Sequence, residues 1–256
     1  MKKRAQNLEK DYFDDYYTQH PQAFEYNPAL LRQAEIYFAK MFKILRPKKN
    51  DSVLSLGCAN GRFDLRLAPL VNKIIGIDIS SKAIANARKT GQKLKIKNAH
   101  FYARDITQGL SYKNNSFNIV LALGIFHHLK LRQIKPLIKE IHRVLRPGGQ
   151  LYTIDPSATG ILRIIARNFF KKLYQSYRSP EEHDLDYRWL IRICQKSGFK
   201  LKKLEFLDLC SSETIYLWPD IPGFILKLLE TIDKYWCQLP IIKYSSSQFS
   251  LTCKKQ

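Results

Sequence analysis

From residue 52 to residue 157 the chain alternates short apolar runs with segments of helical periodicity, and few folds can accommodate that order. "SVLSLG" (52–57), "NKIIGIDIS" (72–80), "AHFYARD" (99–105), "SFNIVLALG" (116–124) and "GQLYTIDPS" (149–157) read as strands. "GRFDLRLAPL" and "KAIANARKTGQKL" read as helices, the second capped by Ser80 or Ser81. Apolar residues at 131, 134, 137, 138, 141, 144 and 145 make one helical face, which Arg146-Pro147-Gly148-Gly149 is expected to end. Ahead of the first strand, Asn27-Pro28 starts a helix that runs to Leu45. The strands are apolar on both sides of the alternation rather than on one. That pattern specifies an α/β fold, a doubly wound and mostly parallel sheet with helices on both faces.

At 256 residues with 45% hydrophobic side chains, the chain can bury a full core. Its five cysteines form no paired spacing, which argues against a zinc site or a disulfide framework and suits a reducing cytoplasmic setting. No signal peptide or spanning segment is expected, because "MKKRAQNLEKDYFDD" leads into acids and "IPGFILKLL" is broken by Lys227. The unusual quantity is charge. Lys plus Arg total 43 against 22 Asp plus Glu, a formal net charge of +21. A field of that sign attracts nucleic acid, anionic lipid or phosphorylated substrates, although the lysines are dispersed rather than clustered.

In a parallel sheet of this kind ligands bind beyond the C-terminal strand ends. That rule points to the 57–61 loop, Asp78, Asp105 and the 124–128 segment. Gly57 and Gly61 permit turns and close backbone approach. Asp78 stands where a carboxylate can accept from both hydroxyls of a ribose. A dinucleotide fingerprint would want glycine at 62, where Arg stands, and no Gly-Lys-Ser/Thr follows to cradle phosphates.

The succession "VLSLGCANGRF", "IIGIDIS", "ARDI", "FNIVLALGIFHHL", "EIHRVLRPGGQL" resembles the class I AdoMet-dependent methyltransferases, in particular their small-molecule branch. The resemblance implies a seven-stranded sheet whose last strand, placed at 246–256, runs antiparallel. Outside the motifs, the N-terminal segment dense in aromatics and acids is expected to form a lid or packed helical arm (1–46) ahead of the cofactor-binding core (47–207). The apolar 208–245 insertion is expected to form a helical cover over substrate, a dimer contact or a membrane-facing patch. The resemblance also implies S-adenosyl-L-methionine as cosubstrate and no metal. Gly57, Ala59 and Gly61 would underlie its methionine part, Asp78 with Ile79 would take the ribose, and Asp105 with Ile106 would face the adenine. Leu123 and Gly124 would border the methionine moiety. Two positions depart from the family pattern: Ser55 replaces an acid that helps hold the amino group, and Ala59 replaces a glycine. Ala59 is inexpensive only if its φ stays negative.

Methyl transfer needs a base only where the acceptor must lose a proton. His127 and His128, just past the fourth strand, are the candidate bases, the alternative being a capping or packing role. His183 is a third candidate, and His142 reads as structural. On a helical wheel of 160–176, Arg163, Arg167 and Lys171 share one side, which is expected to be solvated or to face an anionic membrane. The expected function is methyl transfer to a small-molecule or lipid-linked acceptor, with possible peripheral membrane contact. The alternatives are an RNA (tRNA) methyltransferase and a catalytically weak AdoMet-binding protein.

Overall fold

The computed structural model describes residues 2–21, 27–176, 178–218 and 220–256. Two helices come first, α1 (Lys2–Gln19) and α2 (Pro28–Leu45). The carboxamide oxygen of Asn27 accepts from the N–H groups of Ala29 (2.8 Å) and Leu30 (3.2 Å), so the expected Asn-Pro start is the observed cap.

Seven strands follow: β1 (Ser52–Leu56), β2 (Lys73–Asp78), β3 (Ala99–Ala103), β4 (Phe117–Leu123), β5 (Leu145–Pro156), β6 (Phe199–Asp208) and β7 (Gln248–Lys255). They form one sheet in the order β3-β2-β1-β4-β5-β7-β6. β1 to β5 pair in parallel, and β7 runs antiparallel between β5 and β6. Between the strands lie α3 (Arg62–Leu67), α4 (Ser81–Lys93), α5 (Leu131–Val144), α6 (Ile161–Phe169), α7 (Lys171–Ser176) and α8 (Tyr187–Lys196). The segment between β6 and β7 carries α9 (Ser211–Leu217) and α10 (Gly223–Trp236).

The strand residues alternate between two apolar layers. Leu54, Leu56, Ile77 and Val120 pack on one face with Ile134, Ile138 and Leu190 of α5 and α8. Val53, Ile74 and Ile119 pack on the other with Met41 and Leu45 of α2 and Leu67 of α3. Because both faces are covered, alternation alone decides which face a strand residue joins, and Ser55 shares the side of Val53.

Two local expectations are corrected. α5 ends at Val144, just ahead of Arg146-Pro147-Gly148-Gly149, but those four residues lie inside β5, which opens at Leu145 rather than at Gly149. Pairing there jumps from Phe117↔Leu145 to Ile119↔Gln150, a bulge. Gly148 takes φ 77°, and a Cβ on Gly149 would lie 3.0 Å from the Asn118 carbonyl oxygen. The glycines therefore serve the strand rather than the helix end. The 160–176 helix is also broken at Phe170 and turned the other way round: Arg163 is buried at 5% exposure, whereas Phe169 is 78% exposed. The guanidinium of Arg163 pairs with Asp184 (3.2 Å) and Glu213 (2.5 Å) and donates through Nε to the Ser247 carbonyl (3.1 Å). Three buried acceptors outweigh the hydrophobic demand of a short helix, because an Arg side chain inside needs every partner it can find.

Candidate functional site

The strand order reverses between β1 and β4, and a cavity of about 940 Å³ opens at the C-terminal edge of the sheet at that point. Ser55, Gly57, Ala59, Asp78, Ile79, Asp105, Ile106, Leu123, Gly124, His127 and His128 all line it. Gly61 is not in its wall but shapes the same loop.

That loop is left-handed at alternate residues, with φ 66° at Gly57, 53° at Ala59 and 73° at Gly61. A Cβ on Gly57 would fall 2.7 Å from Ile125 Cδ1, so glycine is needed there for space as well as for φ. Ala59 therefore does occupy the costly conformation. Ala59 packs against the buried cluster of Tyr17 and Ala83, which offsets part of that cost. Asp78 holds the loop from below: Oδ2 accepts from Ala59 N (2.8 Å) and Oδ1 from Ser80 N (2.9 Å). The Ile79 N–H adds to these bonds, and the carboxylate keeps acceptor capacity for a ligand hydroxyl. Burial raises the pKa of Asp78, and the N–H groups of Ser80 and Ala59 work against that. Across the cavity, Asp105 Oδ1 accepts from Thr107 N (2.8 Å) and fixes the turn that presents Ile106.

α1 lies over this loop. Asp14 Oδ1 accepts from Ser80 Oγ (2.6 Å) and Lys82 N (3.1 Å), and Glu9 Oε1 accepts from Glu181 N (2.6 Å). The segment after β5 closes the opposite side through Ser179, Glu181 and Glu182.

The two adjacent histidines are in different positions chemically. His127 Nδ1 lies 3.0 Å from Asp155 Oδ1 at the end of β5, and the His127 backbone N–H reaches the same oxygen (3.2 Å). Thr153 Oγ1 donates to Asp155 Oδ2. Burial pushes the Asp155 carboxyl up to about 8, against those donors. Burial also holds His127 well below its ordinary value, helped by the positive charge of His128, Arg163 and Arg178. His128 is committed elsewhere: its Nδ1 lies 2.9 Å from Ser179 Oγ and 3.5 Å from Glu9 Oε2. His183 stands outside the cavity wall, its N–H donating to the His127 carbonyl (2.9 Å). His142 packs against Phe199 and Gly198, a structural place.

His127, His128 and Glu182 each bring one atom capable of ligating a metal within 4.8 Å of the others. Arg178 Nε, however, lies 3.4 Å from Glu182 Oε1, and the Ser179 N–H donates to Oε2 (3.2 Å). A guanidinium already supplies the positive charge there, so the donor set does not suit a second cation.

Three residues of the site escaped the sequence reading. Asp155 ends a strand and so obeyed the same positional rule as Asp78; "YTIDPS" carried the signal. Arg62 and Asp64 also line the cavity, from α3. Asp64 sits between Phe63 and Leu65 in an apolar stretch, and an acid in such a stretch was the available sign.

Residues 47–204 match the family model described as a methyltransferase domain. The 27-O-demethylrifamycin SV methyltransferase of Amycolatopsis mediterranei (strain S699) is 28% identical over 163 residues, 61% of this chain and 55% of that protein. The demethylmenaquinone methyltransferase of Listeria monocytogenes is 26% identical over 181 residues, 61% of this chain and 73% of that protein. The chain thus spans little more than half the length of the rifamycin relative. Among solved structures, the geranyl diphosphate C-methyltransferase of Streptomyces coelicolor A3(2) shares the fold with a TM-score of 0.65 at 12% identity, covering 89% of this chain and 81% of that one. With that match over more than half its length, on a sheet of this order and with its cavity at the switch point, the chain belongs to the methyltransferase-domain family.

Proposed function

We propose that the chain transfers a methyl group from AdoMet to a small-molecule or lipid-linked acceptor. The observation that carries this reading is the single cavity wall shared by the left-handed glycine loop, Asp78 and the His127–Asp155 pair. The residues fit the cosubstrate. Asp78 lines the cavity with a carboxylate that retains acceptor capacity, which suits ribose hydroxyls. The turn held by Asp105 would offer the Ile106 backbone to the adenine, and Leu123 and Gly124 would border the methionine part. When bound, AdoMet supplies a methyl already activated by its sulfonium, so the protein's share is alignment and exclusion of water. α1 and the 179–182 segment do the excluding.

His127 holds and moves the proton. Below about pH 8 one proton bridges Asp155 and Nδ1, the pair is neutral overall, and the other ring nitrogen Nε2 carries hydrogen. Above it, the carboxylate keeps the hydrogen on Nδ1 and leaves Nε2 free to take one from the acceptor. His128 positions α1 and Ser179 instead.

The small-molecule class agrees with the acceptors named for the rifamycin and menaquinone relatives. The lipid-linked version is supported by the surface around the cavity. Phe169, Phe170, Phe224, Leu228 and Ile241 are exposed on the segments that follow β5 and β6, at the same edge of the sheet as the cavity. Arg167, Lys171, Lys172, Lys227 and Lys234 are exposed among them, and no acid occurs from 161 to 176. Apolar and basic side chains on one face suit an anionic bilayer. Incubation with methyl-labelled AdoMet and separate lipid, aqueous and tRNA fractions tests the reading. Label entering a lipid or small-molecule fraction is expected; label entering only tRNA would overturn the acceptor class.

A further inference from the structure

Part of the cavity wall comes from α2 and from the sheet edge at β5 and β7, and one buried serine organises it. α2 contributes Leu30, Ala34, Phe38 and Met41 as apolar surface, with Gln33 and Tyr37 between them. On the sheet, the register sets Pro156, Gln248 and Asp208 side by side on β5, β7 and β6, one residue beyond Asp155. Behind this wall the Oγ of Ser212 receives Gln33 Nε2 (2.7 Å) and Gln248 Nε2 (3.0 Å) and donates to Asp208 Oδ2 (2.7 Å). Tyr37 donates to the same carboxylate oxygen. A serine has one hydrogen and the carboxylate takes it, so both glutamines must turn N–H groups to Ser212. Each carboxamide is thereby fixed with its carbonyl oxygen and its second N–H left over. Neither glutamine side chain makes a further bond to a described residue.

The local charge opposes that of the molecule as a whole. Burial, then the charge of Asp233, lifts Asp208 to about 6, and Glu213 adds to the effect. Near neutrality Asp208 is still a carboxylate, so three acids lie beneath the wall. Arg163, which donates to the Ser247 carbonyl beside Gln248, is already matched by Asp184 and Glu213. A phosphate or carboxylate seated here would lose its water and face like charge. We propose that this wall holds the far end of the methyl acceptor, Gln33 and Gln248 selecting an apolar molecule that carries a hydroxyl or an amine over one that carries a phosphate or carboxylate. This rests on the reading of the cavity as a methyltransferase site. Both amides touch one oxygen atom, so they are close enough to share one ligand group. A hydroxyl can give its hydrogen to one carbonyl oxygen and accept the second N–H of the other glutamine. Leu30, Ala34, Phe38 and Met41 cover the apolar body.

Three naphthalenes serve as probes on the protein loaded with S-adenosylhomocysteine. They are 2,6-dihydroxynaphthalene, 2-naphthol, which lacks the far hydroxyl, and 6-hydroxy-2-naphthoate, which replaces it with a carboxylate. By titration calorimetry the diol is expected to bind about threefold to tenfold more tightly than 2-naphthol, the net worth of one hydrogen bond, and the carboxylate to bind most weakly. Gln33→Leu and Gln248→Leu should each erase the advantage of the diol. Both should leave the affinities for 2-naphthol and for S-adenosylhomocysteine unchanged, which also shows that the variants fold. Should a leucine variant lose S-adenosylhomocysteine too, the wild-type ranking of the three probes decides alone. Survival of the diol's advantage in both variants, a carboxylate that binds as tightly as the diol, or no binding of any probe to the loaded protein would overturn the assignment. Failure of S-adenosylhomocysteine itself to bind the wild type at millimolar concentration would instead remove the methyltransferase reading beneath it.

Discussion

Two buried carboxyls and two histidines shape how the stability of this molecule changes with pH near neutrality. Asp64 is lifted to about 7 and Asp155 to about 8 by burial, so the folded chain keeps protons that the unfolded chain releases near 4. Stability from these two is present at low pH and falls as pH rises through 7 and 8. His127 and His142 are depressed by burial, so below their ordinary 6.5 they pull the other way, favouring the fold as pH rises. Above pH 6.5 the two histidines no longer oppose them, and the fall from Asp64 and Asp155 remains. The melting temperature of the ligand-free protein should drop across that window, and Asp64→Asn and Asp155→Asn should each make the drop shallower in calorimetric scans. The catalytic counterpart has the opposite slope. For an acceptor that must lose a proton, turnover should rise through about pH 8, and Asp155→Asn should lower kcat by roughly a hundredfold or more, the usual worth of a general base. Ala59→Gly tests the loop. Removing a left-handed alanine gains about 1–2 kcal/mol. Added chain entropy returns about 0.4–1 kcal/mol and the lost methyl contact about 0.8 kcal/mol. Chemical denaturation should therefore show a change within about 1 kcal/mol of zero, which explains why alanine is tolerated there.

The helices test how charge and apolar surface compete. α6 keeps Arg163 inside among Asp184, Glu213 and Ser247, while Arg167 reaches Asp184 (3.3 Å) from a half-exposed position. Arg163→Ala should cost about 3–5 kcal/mol, as removal of one partner from a buried ion pair does, and Arg167→Ala less than about 1 kcal/mol. Urea melts separate the two. The outward apolar face gives a second expectation. Phe169→Ser with Phe170→Ser should abolish flotation with phosphatidylserine vesicles and leave the melting temperature unchanged. Loss of flotation with Arg167→Ala alone, and none with the double serine variant, would contradict it. The five strands from 52 to 157 and the helices α2, α4 and α5 were legible because burial on both faces leaves an unbroken apolar signature and caps mark the ends. The orientation of α6 was not. A helical wheel shows which residues share a side, but the acids that draw Arg163 inward lie at 184 and 213, and only the fold brings them together. Asp155 was legible in principle, since it ends a strand. The pairing of Gln33 with Gln248 on Ser212 was not, because a shared partner is a property of the surroundings and not of the residue.

At the scale of the whole molecule, the +21 charge and the covered cavity together constrain what the protein can act upon. α1 and the 179–182 segment both line the cavity and meet where Glu9 accepts from Glu181 and approaches His128, and we propose that acceptor enters between them. An RNA stem would need that seam to be a cleft. At physiological salt tRNA should accordingly compete poorly for methyl transfer, and any binding it shows should decline steeply as salt is raised, because only phosphates are engaged. Filter binding across a salt series measures both. The same seam governs time as well as access. α1 is fastened by one carboxylate to the cap of α4 and by another to the 179–182 segment, and its Tyr17 rests on the loop that would carry the cosubstrate. On the proposal that α1 is a lid, a spent cosubstrate would leave that loop only when the helix lifts, and α1 would set its residence time. Asp14→Ala should then speed release of S-adenosylhomocysteine in stopped-flow displacement while entry quickens by a similar factor, leaving the equilibrium almost where it was. On that proposal the helix acts as a clock on turnover, set by Asp14 and Glu9.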